Sequence, residues 1–204
     1  MNNIQESALG DVCTILRGSG IPTRRNNIEQ NENLKPVNFI GIKDISEDGI
    51  ISLSGIIEQV DADLNDRYLL KEGDVLLFYA NHLRCGVVTA ELAKYELIAK
   101  SMFLIIRPNF NFVKSEVVAA FFNSILGKKY LNDFFGGRPT SYLTATQLRR
   151  VLIPIPTHEE QEKIALLYYL NPQVYQAALD VAEQQRTLGN AKILNLLYSK
   201  DENN

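Results

Sequence analysis

The sequence changes character within residues 151–170, which read VLIPIPTHEEQEKIALLYYL. The β-branched run Val151–Ile155 favours a short strand, and the proline inside it favours a sheet edge or a strand end. Thr157 and Glu160 have the spacing of a capping box, and apolar residues then recur every three or four positions. The stretch therefore predicts a short strand followed closely by a helix.

Upstream of this boundary the chain alternates between strand-like and helix-like patterns. Short apolar runs, rich in β-branched residues and bounded by Gly, Asp or Asn, favour strands. Downstream of the boundary no such run occurs. The sequence therefore predicts an α+β fold, with a mixed α/β domain over residues 1–157 and a long helical spacer over residues 158–204. The predicted strands are Val37–Ile42, Gly49–Leu53, Asp74–Tyr79, Gly86–Thr89, Met102–Arg107 and Val151–Ile155.

Three helical segments are predicted inside the first domain. Ser115 fits the N-cap of a helix that ends before Gly127, because apolar residues recur between them at helical spacing. A second short helix is predicted over Lys128–Phe135, where two glycines end it. A single helical turn is predicted over Thr144–Arg149.

The spacer predicts two helices and a surface for pairing. Asn171-Pro172 indicates a break or kink, because proline lacks an amide hydrogen and restricts the residue before it. A second helix over residues 172–199 is then about 42 Å long and cannot bury an apolar stripe against itself. It needs the first domain or another chain, and a coiled coil is one solution, although Gln184 interrupts the stripe. The residues predicted to carry pairing are Leu170, Val174, Ala177, Val181 and Leu188.

The composition excludes several classes of protein. With 204 residues, 46% of them hydrophobic and 22% charged, the chain can bury a packed core. A formal net charge of −3 excludes a uniformly basic coat for nucleic acid. Two distant cysteines, Cys13 and Cys85, exclude a disulfide scaffold and a Cys-rich zinc site. The first residues lack a signal-peptide pattern and no apolar run has membrane length, so the sequence predicts a cytoplasmic protein.

Enzyme signatures are absent from the sequence. It contains no GxGxxG and no GxxxxGK[ST] phosphate-binding loop, and His82 and His158 lack a second ligand at metal-binding spacing. The sequence therefore predicts no catalytic residue, no metal and no cofactor. The alternative left open at this point is an enzyme whose site has no recognised motif.

Basic residues cluster in three segments. Residues 128–150 hold five basic residues against one acid, residues 84–114 hold five against two, and the third cluster lies in an early loop. If the fold gathers these segments, one face attracts phosphates. The alternative is a solvated surface with scattered charge. The basic residues assigned to this DNA-binding face are Arg17, Arg24, Arg25, Lys43, Lys128 and Lys129.

Two loops carry side chains suited to reading bases. One is Tyr79–Arg84, which follows the end of a predicted strand, and the other is Gly136–Tyr142. Arginine pairs with guanine edges and asparagine with adenine edges in the major groove, and hydroxyl groups bind either. The residues predicted to contact bases are Asn81, His82, Arg84, Arg138, Thr140 and Ser141.

The order of several motifs resembles one known family. The chain has LGDVCTILRG from Leu9 and FIGIKDI from Phe39. It continues with YLLKEGDVLL from Tyr68, GGRPTSYL from Gly136 and LIPIPTHEEQEKIA from Leu152. This series resembles the specificity subunit of type I restriction–modification systems, over one target-recognition domain and one helical spacer.

The resemblance implies a subunit that performs no chemistry of its own. Such subunits bind double-stranded DNA through a mixed α/β recognition domain. They recruit adenine methyltransferase subunits that use S-adenosylmethionine, with or without a restriction subunit. Long helices separate two recognition domains and set the gap in a bipartite DNA site. The resemblance transfers no base-reading residue, because these positions vary within the family.

The sequence departs from the family pattern because it has one recognition domain where the usual subunit has two. Pairing of two copies through the helices at residues 172–199 resolves this difference, and the pair then reads a symmetric split site. Pairing with a different half-length subunit is the alternative arrangement. The alternative function is that of a remnant or decoy, which binds methyltransferase subunits but does not read DNA.

Overall fold

The computed structural model describes residues 5–20, 34–53, 57–61, 68–79, 83–134 and 143–198. Residues 1–165 and residues 166–204 form two compact units. The strands of the described residues are β1 Gln5–Ala8, β2 Cys13–Arg17, β3 Leu34–Ile40, β4 Ile57–Asp61, β5 Val75–Tyr79, β6 Leu83–Val87, β7 Leu97–Ala99, β8 Phe103–Pro108 and β9 Leu152–Ile155. The helices are α1 Leu9–Val12, α2 Ala90–Ala93, α3 Ser115–Asn123, α4 Ile125–Phe134, α5 Ala145–Leu148 and α6 His158–Tyr198.

The described strands of the N-terminal unit form three small sheets. The largest is antiparallel with the order β2-β8-β5-β6, and a second has the order β4-β3-β7, in which β3 and β7 are parallel. β1 and β9 form a two-stranded antiparallel pair. In the described residues β9 therefore has a neighbour on one side only, and the edge position predicted for Pro154 is confirmed. The α+β class and the long C-terminal helix are confirmed as well.

The two larger sheets share one hydrophobic core. Leu76 of β5 and Ile105 of β8 lie in the same buried cluster as Ile40 of β3 and Leu97 of β7. These central strands are apolar at successive positions because both of their faces are covered, which explains why their sequences lack alternation. Burial of each such side chain contributes about 1.5–3 kcal/mol to folding. The core therefore holds the strand ends of both sheets in fixed positions.

A buried ion pair joins the start of β5 to β8. The Asp74 side chain is fully buried, and its two oxygens accept hydrogen bonds of 2.7 Å from Nε and Nη2 of Arg107. Asp74 Oδ2 also accepts a hydrogen bond of 2.8 Å from the amide of Lys71, which closes the turn before β5. The hydrogen bond with Asp74 raises the pKa of the Arg107 guanidinium above its usual value. The pair thus links a turn to the middle of the sheet.

The break between α3 and α4 lies at Ser124 rather than at Gly127, where the sequence predicts it. Ser124 Oγ donates a hydrogen bond of 2.7 Å to the Phe121 carbonyl and accepts one of 2.9 Å from the Gly127 amide. Gly127 lies inside α4, and a Cβ there would overlap the Phe121 carbonyl oxygen. The glycine therefore permits close packing between the two helices instead of ending one of them.

The start of α3 also differs from the prediction. Its N-cap is Lys114, and Ser115 is buried one position later. Ser115 Oγ donates a hydrogen bond of 2.6 Å to the Gly73 carbonyl, so the hydroxyl serves a tertiary contact and not the helix end. The single turn predicted near residue 144 is confirmed, because Thr144 and Gln147 form a capping box at the start of α5.

The C-terminal helix α6 runs without interruption for 41 residues. Its predicted capping box is confirmed, because the amide and Oγ1 of Thr157 both donate to Glu160 Oε2 at 2.9 Å. The predicted end of a helix at Asn171 is wrong, since Pro172 lies inside α6. A proline in a helix interior lowers the stability of the helix by about 3 kcal/mol. The helical turns on both sides of Pro172 offset this loss. A bend at this proline stays a prediction. None of the helices among the described residues is long and apolar enough to cross a membrane.

Candidate nucleic-acid interface

Four strand ends of the largest sheet lie at one end, which we call the loop end. Here β2 finishes at Arg17, β8 begins at Phe103, β5 finishes at Tyr79 and β6 begins at Leu83. Alternating strand directions place these ends together. The register that defines the loop end consists of the pairs Arg17↔Leu104, Phe78↔Phe103 and Tyr79↔Leu83.

The segments predicted to bind DNA connect to the loop end. Residues 80–82 join the paired ends of β5 and β6, and residues 21–33 follow the chain that leaves β2. Residues 135–142 precede Leu143, which lines a cleft together with Arg17. Strand register therefore brings the ends of β2, β5 and β6 together, and the shared cleft places Leu143 beside Arg17. The predicted site residues within these segments lie outside the described residues: Arg24, Arg25, Asn81, His82, Arg138, Thr140 and Ser141.

Arg17 lies between two concave surfaces of the loop end. One cleft has a volume of about 530 Å³ and is lined by residues that include Gly20 and Tyr68, and the other has a volume of about 240 Å³ and reaches Leu143. The exposed Arg17 side chain lines both, and its Nε donates a hydrogen bond of 3.3 Å to the Ser101 carbonyl. Among the described residues this is its one hydrogen bond, and an exposed guanidinium group suits an anion or a base edge.

A close approach of two chain segments fixes the backbone beside Arg17. The Gly18 amide donates a hydrogen bond of 2.9 Å to the Phe103 carbonyl, and the Ser19 amide donates one of 2.8 Å to the Ala99 carbonyl. A Cβ at Gly18 would overlap the Lys100 carbonyl oxygen. Glycine is therefore required where β2 ends, and the position of Arg17 is set by main-chain contacts.

Arg84 has a structural role that the sequence does not indicate. Its Nη1 donates hydrogen bonds of 3.2 Å and 2.9 Å to the carbonyls of Ile42 and Ile45. These carbonyls bracket the 3-10 turn Ile42–Asp44, which carries the exposed Lys43. Arg84 thus holds Lys43 next to the start of β6, close to the loop end. A further contact of Arg84 with a base stays a prediction.

Replacing Arg84 with lysine is expected to lower the free energy of unfolding by about 1–2 kcal/mol. A single ammonium group cannot match the position of the guanidinium, and hydrogen bonds to charged donors are worth about 1.5–3 kcal/mol. Urea denaturation followed by circular dichroism measures the change. Lys94→Ala is the control, since Lys94 is 64% exposed and pairs only with exposed Glu91 in the described chain. Equal stability of the two variants would show that the Arg84 hydrogen bonds contribute nothing.

Lys128 and Lys129 lie on a different element from Arg17. α3 extends along the largest sheet, because its first residue bonds to Gly73 and Asn123 Nδ2 donates a hydrogen bond of 2.7 Å to the Cys85 carbonyl of β6. Both lysines follow on α4, where they are exposed. No strand pairing or hydrogen bond of the described residues joins them to the loop end. Their part in the interface stays a prediction.

Metal-ligand clusters and reactive thiols are two kinds of chemical group that bear on the chemistry of the described residues. Among the described residues, no group of three or more His, Cys, Asp and Glu side chains is arranged to hold a metal ion. Burial raises the pKa of Cys13 to about 12, and it raises the pKa of the Cys85 thiol as well. Both thiols are therefore protonated near neutral pH and are poor nucleophiles. The exposed cation Arg17, which lines both clefts, suits contact with a polyanion.

Comparison with known proteins identifies the family of this chain. Residues 1–167 match the family described as Type I restriction modification DNA specificity domain. The chain belongs to this family. The match covers the N-terminal unit and therefore the whole loop end. No curated protein matches the chain.

Two solved structures share the fold of this chain. The HsdS subunit from Thermoanaerobacter tengcongensis has a TM-score of 0.64 at 21% identity, over 100% of this chain and 51% of that one. A second structure, described as the structural basis underlying complex assembly and conformational transition of the type I R-M system, has a TM-score of 0.66 at 18% identity, over 100% and 52%. The chain spans about half the length of both solved chains. At these identities the likeness concerns the fold.

The spacer helix of this specificity-domain protein exposes the residues predicted to pair. Leu170 is 41% exposed, Val174 66%, Val181 57% and Leu188 51%, and Ala177 is exposed as well. Spacings of three and four place them along one face of α6. An exposed apolar stripe of this length is typical of a surface that another protein covers. The coiled coil itself stays a prediction.

Sequence reasoning missed Gln161, which is 5% exposed in the first turn of α6. A signal for it exists, because Gln161 precedes Ile164 and Tyr168 by three and seven positions and so shares their helix face. A polar residue on the apolar face of a helix indicates a buried hydrogen bond, and the structure contains three of them at this side chain.

Proposed function

We propose that this chain is the DNA-reading, non-catalytic subunit of a type I restriction–modification complex and directs an adenine methyltransferase to a bipartite site. One observation supports the proposal: strand register brings the ends of β2, β5 and β6, from which two of the predicted DNA-binding segments continue, to the same end of the sheet as the exposed Arg17. Family membership of residues 1–167 supports the same role. Duplex DNA offers phosphates to the cations and base edges to the amide and hydroxyl groups.

The proposed contacts fall into two classes. Cationic side chains neutralise phosphates and position the protein without specifying sequence. Side chains of the loops read base edges in the major groove. Phosphate contacts are assigned to Lys128, Lys129 and Arg24, with Arg17, Arg25 and Lys43 completing the cationic surface. Base contacts are assigned to Asn81, His82, Arg84, Arg138, Thr140 and Ser141.

The proposed partners beyond DNA are proteins. The exposed stripe of α6 pairs with a second copy of this chain or with another specificity chain. A two-fold pair places two recognition domains on one duplex and reads a symmetric split site, because site symmetry mirrors protein symmetry. Adenine methyltransferase subunits then join the pair, with or without a restriction subunit.

The decisive experiment maps N6-methyladenine across the native host genome with and without the gene. We expect deletion to remove methylation at one split motif and re-expression of the chain to restore it. The symmetry of the lost motif reports whether the partner of this chain is a second copy. An unchanged map in cells that express the protein would refute the proposal and would favour a decoy that binds methyltransferase subunits without reading DNA.

DNA-binding measurements on the assembled complex that contains the Arg17→Ala variant test the loop end. The assembled complex is expected to lose about 1–3 kcal/mol of affinity for its site, as for a single arginine contact to DNA. A smaller dependence of affinity on salt identifies a phosphate contact, and relaxed sequence preference identifies a base contact. Lys94→Ala is the matched control, since Lys94 follows α2 after the opposite end of β6. Equal affinity of both variants would remove Arg17 from the interface.

A further inference from the structure

Gln161 holds the first turn of α6, which belongs to the N-terminal unit, against other segments of that same unit. Its side chain is 5% exposed, and its Oε1 accepts a hydrogen bond of 2.8 Å from the amide of Lys114. Its Nε2 donates two hydrogen bonds of 3.0 Å, to the carbonyls of Phe112 and Pro156. Both hydrogens of the amide group are therefore used. The three partners belong to the segment before α3 and to the segment that leads into α6.

The partners of Gln161 are all main-chain atoms, which makes the attachment directional. Main-chain groups cannot rotate away from a lost partner as side chains can, so three bonds define both the position and the orientation of this helical turn. An ion pair of 2.9 Å between Lys114 Nζ and Glu162 Oε1 lies beside it, but both of its side chains are partly exposed. Surface pairs of this kind contribute little, so Gln161 supplies most of the polar contribution to this attachment.

We infer that Gln161 is a positioning residue that fixes the gap between the two halves of the DNA site. The inference rests on the proposed function. α6 continues from Gln161 to Tyr198 as one helix, a length of about 55 Å. A tilt of about 5° at its first turn moves the far end by about 5 Å, which exceeds the rise of about 3.4 Å between base pairs. A loose first turn therefore lets a pair of chains accept gaps of more than one length.

The capping box at the start of α6 provides a control that distinguishes the positioning role of Gln161 from an effect on helix stability. Glu160 and Thr157 bond to each other and not to the partners of Gln161. Substitution of Glu160 weakens the helix start and leaves the attachment in place. Substitution of Gln161 leaves the capping box in place and removes the attachment. Glu160→Ala is therefore a matched control one residue away.

The test uses the assembled methyltransferase complex and duplexes with identical half-sites whose gap is shortened or lengthened by one base pair. Gln161→Met keeps the side-chain volume and removes all three hydrogen bonds. We expect the ratio of its methylation rates on the native gap and on the altered gaps to fall about tenfold. This corresponds to the net contribution of about one of the three hydrogen bonds. Discrimination against mismatches within each half-site is expected to stay unchanged. Glu160→Ala is expected to keep the wild-type gap preference.

Two results would overturn the inference. One is an unchanged gap preference in Gln161→Met together with a slower rate on every duplex, which indicates a role in stability alone. The other is an equal loss of gap preference in Glu160→Ala. If Gln161→Met fails to fold, Gln161→Glu replaces it, since the carboxylate still accepts from Lys114 and cannot donate to the two carbonyls. Failure of the proposed function is visible separately, because the wild-type complex then methylates none of the duplexes.

Discussion

Replacing Asp74 with alanine is expected to lower the free energy of unfolding of the N-terminal unit by about 3–5 kcal/mol. The carboxylate is fully buried and accepts two hydrogen bonds from Arg107 and one from the Lys71 amide. Its removal leaves a guanidinium beside the sheet without its counter-charge and an amide without its acceptor. A domain of ordinary stability has about 5–15 kcal/mol in total, so this loss removes a large part of it.

Urea denaturation of the full chain, followed by circular dichroism, measures the effect of Asp74→Ala. The double variant Asp74→Ala/Arg107→Met is expected to be more stable than the single variant, because it leaves no unpaired charge in the sheet. Glu91→Ala is the surface control: it breaks a pair whose side chains are 64% and 81% exposed, and it should cost less than about 1 kcal/mol. If Asp74→Ala lowered the free energy of unfolding as little as Glu91→Ala does, the role given to the buried pair would be contradicted.

Replacing Val181 with aspartate is expected to raise the dissociation constant of the proposed pair at least about a hundredfold. Val181 is 57% exposed in the middle of the apolar stripe of α6. In a two-fold pair the substitution buries two carboxylates at a seam, and unfavourable charges at an interface cost several kcal/mol. The split motif is then expected to lose its methylation, because the two recognition domains no longer act together.

Sedimentation equilibrium of the full chain reports the pairing directly. Thr187→Asp is the matched control, since it adds the same charge to an exposed position about 120° away from Val181 around the helix. The control is expected to pair like the wild type, and both variants are expected to keep the unfolding transition of the N-terminal unit. Wild-type pairing in Val181→Asp would show that the stripe is not the interface.

Local patterns predicted the elements whose signals lie within a few residues. The predicted capping box of α6 needs two residues three positions apart, and it is present in the structure. The apolar runs that became β5, β8 and β9 are long enough to indicate strands by composition. The run Gly49–Leu53 is not a strand in the structure: its Ile51 forms an isolated bridge to Ile45 and no ladder.

The elements that sequence reasoning missed are those that depend on a distant partner. β7 has three residues, too few for a period, and it exists because it lies parallel to β3. β2 follows directly after a single helical turn, so the sequence contains no separate apolar run that indicates this strand. The hydroxyl of Ser115 has two uses, a cap or a tertiary contact, and the presence of Gly73 beside it decides between them.

The sequence by itself determined the α+β class, the change from strands to a long helix near Thr157, and the family through the order of its motifs. These depend on composition, periodicity and short spacings, all of which are local. Tertiary structure alone decided which strand ends meet at the loop end, that Arg84 binds two carbonyls, that Pro172 stays inside one helix and that Gln161 holds the first turn of α6 against the segment before α3. Each of these depends on strand register or on burial next to residues far away in the chain, and local propensity contains no information about such neighbours.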